Sequence, residues 1–159
     1  GSRTAIEKAI GRLKAEGLKA DLLTGDIVAL PYKKDYFDAV IDNECLSCNS
    51  RKAMETILNE IGRVLKPGGL FFSRTFSEDM CTGATDRPDG AREYQTVPDG
   101  PLAGKGFVRL ETKAGVKELY GSYFDIVSID KLEQTINNWA MKISEYIVIA
   151  EKRSANVQK

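Results

Sequence analysis

Apolar and polar positions alternate with a helical period at the start of the chain. Ala5, Ile6, Ala9, Ile10 and Leu13 fall on one face and Gly17 is a stop, which predicts a helix from Thr4 to Glu16. Ala20 to Thr24, apolar but for Asp21 and Thr24, is read as a short strand, and Gly25-Asp26 turns the chain away from it. Pro31 and the charged Lys33-Lys34-Asp35 belong to a surface loop. Phe37 to Ile41 is apolar except for Asp38 and reads as a strand buried on both faces. Asn49 or Ser50 then caps a helix carrying Met54, Ile57, Leu58, Ile61 and Leu65 at helical spacing. Pro67-Gly68-Gly69 ends that helix and Leu70-Phe71-Phe72 starts a strand. Strand, helix and strand with tight connections make a parallel crossover unit.

The pattern breaks from Ser77 to Lys105, where Gly, Asp, Pro and Thr dominate. A loop of that length exceeds the usual about 4–6 residues, so it is expected to be functional or partly disordered. Lys113 to Tyr120 reads as a short helix. Phe124 to Ile136 and Lys142 to Glu151 are β-rich, and Asn137-Asn138 between them signals an antiparallel hairpin. Trp139, near that turn, is expected to pack. One domain over residues 3–152 and a tail over 153–159 complete the expected organisation.

The 159 residues carry 23 basic and 23 acidic side chains, so a balanced charge offers no global attraction to nucleic acid or anionic lipid. Hydrophobic residues at 42% and charged residues at 29% suit a globular chain. No apolar run approaches the about 20 residues of a membrane span, and no signal peptide precedes Arg3. With three cysteines and no disulfide framework, the chain is expected to be cytoplasmic with reduced thiols.

Candidate chemistry is limited by the absence of histidine, which excludes Ser-His and Cys-His catalysis. Cys45 and Cys48 form a CxxC after a predicted strand, which admits a thiol oxidoreductase if a helix N-terminus lowers one thiol. Small, partly buried cysteines are the plainer account. Zinc needs about four ligands and only Cys81 remains, so no metal site is expected.

GDIVALPY, FDAVIDNECL and RVLKPGGLFFS follow one another between Gly25 and Ser73. In this order and at these distances they resemble the middle of a class I S-adenosylmethionine-dependent methyltransferase. The hairpin, with ISEYIVIAEK as its second strand, is similar to the last two strands of that family, and GPLAGKGF from Gly100 to Phe107 to a segment of some members. The resemblance implies an α/β, Rossmann-like methyltransferase sheet, mostly parallel, with a C-terminal antiparallel hairpin. It implies S-adenosylmethionine as cofactor and methyl transfer to an unidentified acceptor. Asp26 matches the residue whose carboxylate meets the adenine amine, with the Ile27 N–H beside it. The residues alone equally allow a Gly25-Asp26 turn whose side chain bonds its own backbone. Asp42, Asn43 and Glu44 match the segment beside the methionine part of the cofactor, at the carboxyl end of a strand where open α/β sheets bind ligands. A sulfonium donor is already activated, so holding the reactants in line does much of the work. If the acceptor must lose a proton, Glu44, Glu93 and Tyr94 are candidate bases.

The family's sheet order is 3-2-1-4-5-7-6, and its first two strands and Gly-rich loop are not found in this sequence. On that reading the domain is N-terminally truncated. Losing two charged hydrogen bonds would weaken the cofactor by about 3–6 kcal/mol. An exposed parallel edge invites a partner strand, so a homodimer or strand-swapped assembly is expected. A catalytically inactive binding or oligomerisation module is the alternative to an enzyme.

Overall fold

The central helix owes its position to a cap and a stripe. Ser50 Oγ accepts from the Ala53 N–H at 3.4 Å, opening α2 (Arg51–Val64). Asn49 does not cap it; its side-chain amide donates to the Cys45 carbonyl at 2.8 Å. Met54, Ile57, Leu58, Ile61 and Val64 line the buried face of α2. The computed structural model describes residues 2–80 and 92–154. Cys81 and the end of the expected tail lie outside them.

In chain order the elements are α1 (Arg3–Ala15), β1 (Phe37–Asn43), a 3-10 turn (Leu46–Cys48), α2, β2 (Leu65–Phe76), β3 (Arg92–Tyr94), β4 (Val108–Leu110), α3 (Lys113–Gly121), β5 (Asp125–Ile136) and β6 (Met141–Glu151). The main sheet has the order β1-β2-β6-β5. β1 and β2 run parallel, joined by α2, with Val40 opposite Phe71 and Asp42 opposite Ser73. β6 lies antiparallel between β2 and β5. This is the crossover and hairpin that the pattern predicts, in the order 4-5-7-6 of the resembled sheet.

Register sorts the side chains into two faces. Phe71, Ser73 and Thr75 of β2 lie beside Ala150, Val148 and Tyr146 of β6. That face meets α2 and α3 in a core including Leu58, Val116, Leu119, Tyr120 and Phe124. Phe71 packs between aromatic neighbours, its ring centroid 6.0 Å from Tyr120 and 5.3 Å from Phe124. The other face carries Arg74, Phe76, Glu145 and Ile147.

Gly69 shows why the KPGG turn needs glycine. A Cβ there would sit 2.8 Å from the Lys66 carbonyl oxygen and 3.0 Å from that of Asp38. The turn is thus pressed against the start of β1, and it lets β2 run beside β1 immediately after α2.

Three expectations are corrected. Ala20 to Thr24 forms no strand, because no described strand runs beside it to supply ladder bonds. Phe37 to Ile41 is not buried on both faces: the main core covers the face of Val40 and Asp42, while Ile41 on the opposite face is 75% exposed. Trp139 does not pack but stands 81% exposed, because the hairpin projects past the body of the sheet. Of the long segment from Ser77 to Lys105, residues 77–80 and 92–105 are described. β3 and β4 pair antiparallel, and Phe76, Met80, Val97, Leu102, Val108 and Leu110 form a second small core.

No helix among the described residues is long and apolar enough to cross a membrane.

Candidate functional site

The carboxyl ends of β1 and β2 open into a cleft roofed by the segment from Pro101 to Val108. Leu102 and Val108 anchor this roof in the second core. Gly104 and Gly106 take positive φ angles of 70° and 87°, which glycine adopts without strain and which let GPLAGKGF fold back over the sheet. Lys105 and Pro101 then line a cavity of about 470 Å³ together with Asn43, Glu44, Cys45 and Cys48. A second cavity of about 250 Å³ lies toward β5 and β6, lined by Arg74, Glu145, Leu132 and Ile143 among others. Glu44, Phe76, Pro101 and Leu102 belong to both walls, so the two spaces adjoin.

Asp42 is the buried keystone of the strand end. Its Oδ1 accepts from the Cys45 N–H at 3.1 Å and the Leu46 N–H at 3.3 Å, holding the 3-10 turn. Its Oδ2 accepts from Ser73 Oγ at 2.8 Å, and Ser73 meets the Tyr120 hydroxyl at 2.9 Å. Both carboxylate oxygens are therefore engaged by protein donors. Burial still pushes its pKa above the usual carboxylate range, although all three hydrogen bonds oppose that shift. The same burial drives the Tyr120 hydroxyl well above the ordinary tyrosine range.

Glu44 is held differently. It adopts φ 66°, uncommon for a residue with a Cβ, and donates its N–H to the Arg74 carbonyl at 3.0 Å. Its carboxyl lies 3.5 Å from Arg74 Nη2, which is also hydrogen-bonded to Glu145. Glu145 is only 2% exposed. Burial and the neighbouring Glu145 carboxylate push the Glu44 pKa up to about 7, against the pull of Arg74.

Of the expected site residues, Asn43 and Glu44 reach the larger cavity, whereas Asp42 braces the strand end behind it. Asp26 and Ile27 lie on the segment before β1 and line neither cavity. Asp26 is exposed, and its Oδ1 accepts from the Val28 N–H at 3.1 Å, the local turn that the residues alone allow. Ile27 packs half-buried against the main core. Glu93 is tied to Arg109 Nη1 at 2.7 Å and the Arg51 N–H at 3.3 Å, and Tyr94 packs on the second core. Of the three candidate bases Glu44 lines both of these cavities, and Glu93 and Tyr94 line neither.

Cys45 and Cys48 are free thiols at the surface, exposed rather than partly buried as expected, though the strand end around them still desolvates the sulfurs in part. Burial pushes both upward, Asp42 adding to the effect at Cys45 and Glu44 at Cys48. That direction opposes the lowered thiol a redox role requires.

Sequence reading missed Ser73, Arg74, Tyr120 and Glu145. The available signal was a lone charge within an apolar strand run: Arg74 in LFFSRTF and Glu145 in ISEYIVI. Such a charge needs a partner or a function.

The four main strands and their connections superpose on solved methyltransferases. An S-adenosylmethionine-dependent methyltransferase from Methanosarcina mazei matches with a TM-score of 0.74 and 20% identity, covering 97% of this chain and 80% of that one. One from Clostridium acetobutylicum matches with a TM-score of 0.66 and 17% identity, covering 97% and 73%. The 1,6-didemethyltoxoflavin-N1-methyltransferase of Burkholderia thailandensis, solved with 1,6-didemethyltoxoflavin and S-adenosylhomocysteine bound, matches with a TM-score of 0.67 and 19% identity. There the match covers 92% of this chain and 57% of that enzyme. At these identities the likeness speaks for the fold. The sequence itself matches the methyltransferase domain model over residues 2–115, so with its sheet order and crossover the chain belongs to the methyltransferase domain family, with the class I S-adenosylmethionine-dependent fold.

Proposed function

We propose that this chain binds S-adenosylmethionine outside the carboxyl ends of β1 and β2 and transfers its methyl to an acceptor held under the roof. The observation that carries this reading is the pair of cavities adjoining at Glu44, at the strand ends where open α/β sheets take their ligands.

The residues there fit the group. Asn43 and Glu44 present an amide and a carboxylate to the larger cavity on the strand side, where a cationic sulfonium or ammonium would pair with Glu44, and Lys105 on the roof side would suit the cofactor's carboxylate. Asp26 and the Ile27 backbone would meet the adenine; Asp26 Oδ2 makes no hydrogen bond among the described residues. Asp42 acts through the loop, by fixing where Asn43 and Glu44 stand. When bound, the cofactor supplies an already activated methyl. The chain's own residues orient the acceptor, exclude water through Phe76, Pro101 and Leu102, and receive a proton at Glu44 where the acceptor must lose one.

Calorimetric titration with S-adenosylhomocysteine tests this. Saturable binding with a Kd of about millimolar or tighter, weakened at least about tenfold by Asp26→Ala, is the expected result. No heat up to about millimolar ligand would refute it.

A second reading, a binding or oligomerisation module, rests on the bare edge of β1 with Ile41 exposed. Sedimentation equilibrium decides that one: a monomer at every concentration removes it.

A further inference from the structure

We propose that the smaller cavity is a pocket for an amine acceptor with a compact apolar body, and that Glu44, backed by Glu145 and Arg74, pairs with its ammonium and takes its proton. This rests on the methyl-transfer reading of the site, whose acceptor it names by class.

The pocket has two kinds of wall. Phe76, Met80, Leu102, Leu132 and Ile143 surround it with apolar surface, and its volume of about 250 Å³ admits little more than one ring with a short arm. Glu44, Arg74 and Glu145 form its polar end. Two carboxylates and one guanidinium leave a net charge of −1 when all are ionised. Glu145, almost wholly buried, is matched by the hydrogen bond from Arg74. The uncompensated charge therefore falls on Glu44, 3.5 Å from the same guanidinium group and at the junction with the larger cavity. An ammonium there neutralises the cluster. A carboxylate there would face two others, and like charges at that range are disfavoured.

The chemistry balances. The acceptor arrives as R–NH₃⁺ and passes one proton to the Glu44 carboxylate, which becomes a neutral acid. The electron pair released stays on nitrogen, forms the bond to the methyl carbon, and the pair of the broken carbon–sulfur bond remains with the leaving thioether. A proton acceptor that titrates close to neutrality suits that exchange, and Glu44 is held there by burial and by Glu145. The other charged or titratable groups near Glu44 are Arg74 from β2, Asp42 from β1, Cys48 from the 3-10 turn and Lys105 from the roof.

The test uses three probes of one shape, benzylamine, benzyl alcohol and benzoate, titrated into the protein with and without S-adenosylhomocysteine. NMR would follow the Glu44 amide and Arg74 Nε–H, a buried donor without a partner among the described residues. Benzylamine should bind in about the millimolar range and in preference to both isosteres. Glu44→Gln should weaken it at least about tenfold. Glu44→Asp should recover part of the loss. Bound benzylamine should also lower the pH at which the Glu44 carboxyl carbon titrates, a response that a purely structural glutamate would not give. If Glu44→Gln fails to fold, Glu145→Gln replaces it with the same expected direction. Equal or better binding of benzoate, or benzylamine affinity unmoved by these variants, overturns the inference. S-adenosylhomocysteine binding without amine preference sinks only the acceptor class. Amine preference at Glu44 without any S-adenosylhomocysteine binding sinks the methyl-transfer reading instead.

Discussion

Asp42 offers the sharpest test of how the strand end is built, because its shape and its charge pull in opposite directions. Its carboxylate accepts three hydrogen bonds, yet burial raises its pKa. A raised carboxyl pKa means that the folded chain holds the proton more tightly than the unfolded chain does. The stability from this difference is fully present below the unfolded pKa and is lost as pH rises through the folded one. At neutral pH the charge at Asp42 is therefore a cost, while its acceptor geometry is a gain. Asp42→Asn keeps the Oδ1 acceptor for the Cys45 and Leu46 N–H groups. It puts an amide donor opposite Ser73 Oγ, which can accept from it and donate to Tyr120. Asp42→Ala removes all of this. The buried Leu46 N–H then loses its acceptor at about 1–3 kcal/mol, and the wetter Cys45 N–H adds about 0.5–1.5 kcal/mol. We expect Asp42→Ala to cost about 2–4 kcal/mol. With a urea slope of about 2 kcal/mol per M, the midpoint falls by about 1–2 M. Asp42→Asn should match or exceed the parent stability at pH 7, with an advantage that shrinks as pH falls. Urea unfolding at several pH values measures both. If Asp42→Asn is as damaging as Asp42→Ala at pH 7, the charge of the hydrogen bonds outweighs desolvation and the reasoning is wrong.

Other outcomes follow from the same structure. The raised pKa of Glu44, about 7, means that stability is lost as pH rises from its ordinary value of 4.5 through 7; Glu44→Gln should flatten the fall in Tm between about pH 5 and 8, and an unchanged profile would refute the burial of that carboxyl. Gly69→Ala forces a methyl against two backbone oxygens and should cost at least about 1–3 kcal/mol in urea unfolding; a neutral effect would mean that the turn is free to shift. Tyr120→Phe removes the hydroxyl from Ser73 but keeps the ring on Phe71, so a loss of about 1 kcal/mol is expected, against several if the ring itself were displaced. Because both thiols are pushed upward, iodoacetamide should alkylate Cys45 and Cys48 slowly at pH 7 and faster only in alkaline buffer; rapid neutral alkylation would restore the thiol-chemistry reading.

Much of the fold was written in local pattern. The stripe on α2, the KPGG stop, the crossover and the hairpin need only periodicity and turn residues, signals carried by neighbours in the chain. The placement of Asn43 and Glu44 at a strand end was legible for the same reason, since the apolar run of β1 stops there. What local pattern could not carry was pairing between distant segments. Whether Phe37 to Ile41 is buried on both faces depends on what packs over each face of the sheet, and only the face of Val40 and Asp42 meets the main core. Whether the Gly-rich segment is slack or a roof depends on Leu102 and Val108 finding Phe76 across the chain.

The candidate site divides along the same line. The sequence by itself determined the types of group at the strand ends, the absence of histidine, and the family they resemble. It could not assign their roles, because Asp42 and Glu44 are both carboxylates two residues apart. Tertiary structure separated them. Asp42 faces the core and satisfies the loop, and Glu44, turned outward by its positive φ, meets Arg74 and Glu145 from strands about 30 and 100 residues further along the chain. A pKa is set by burial and by charges within a few ångströms, and only the folded chain decides which residues those are.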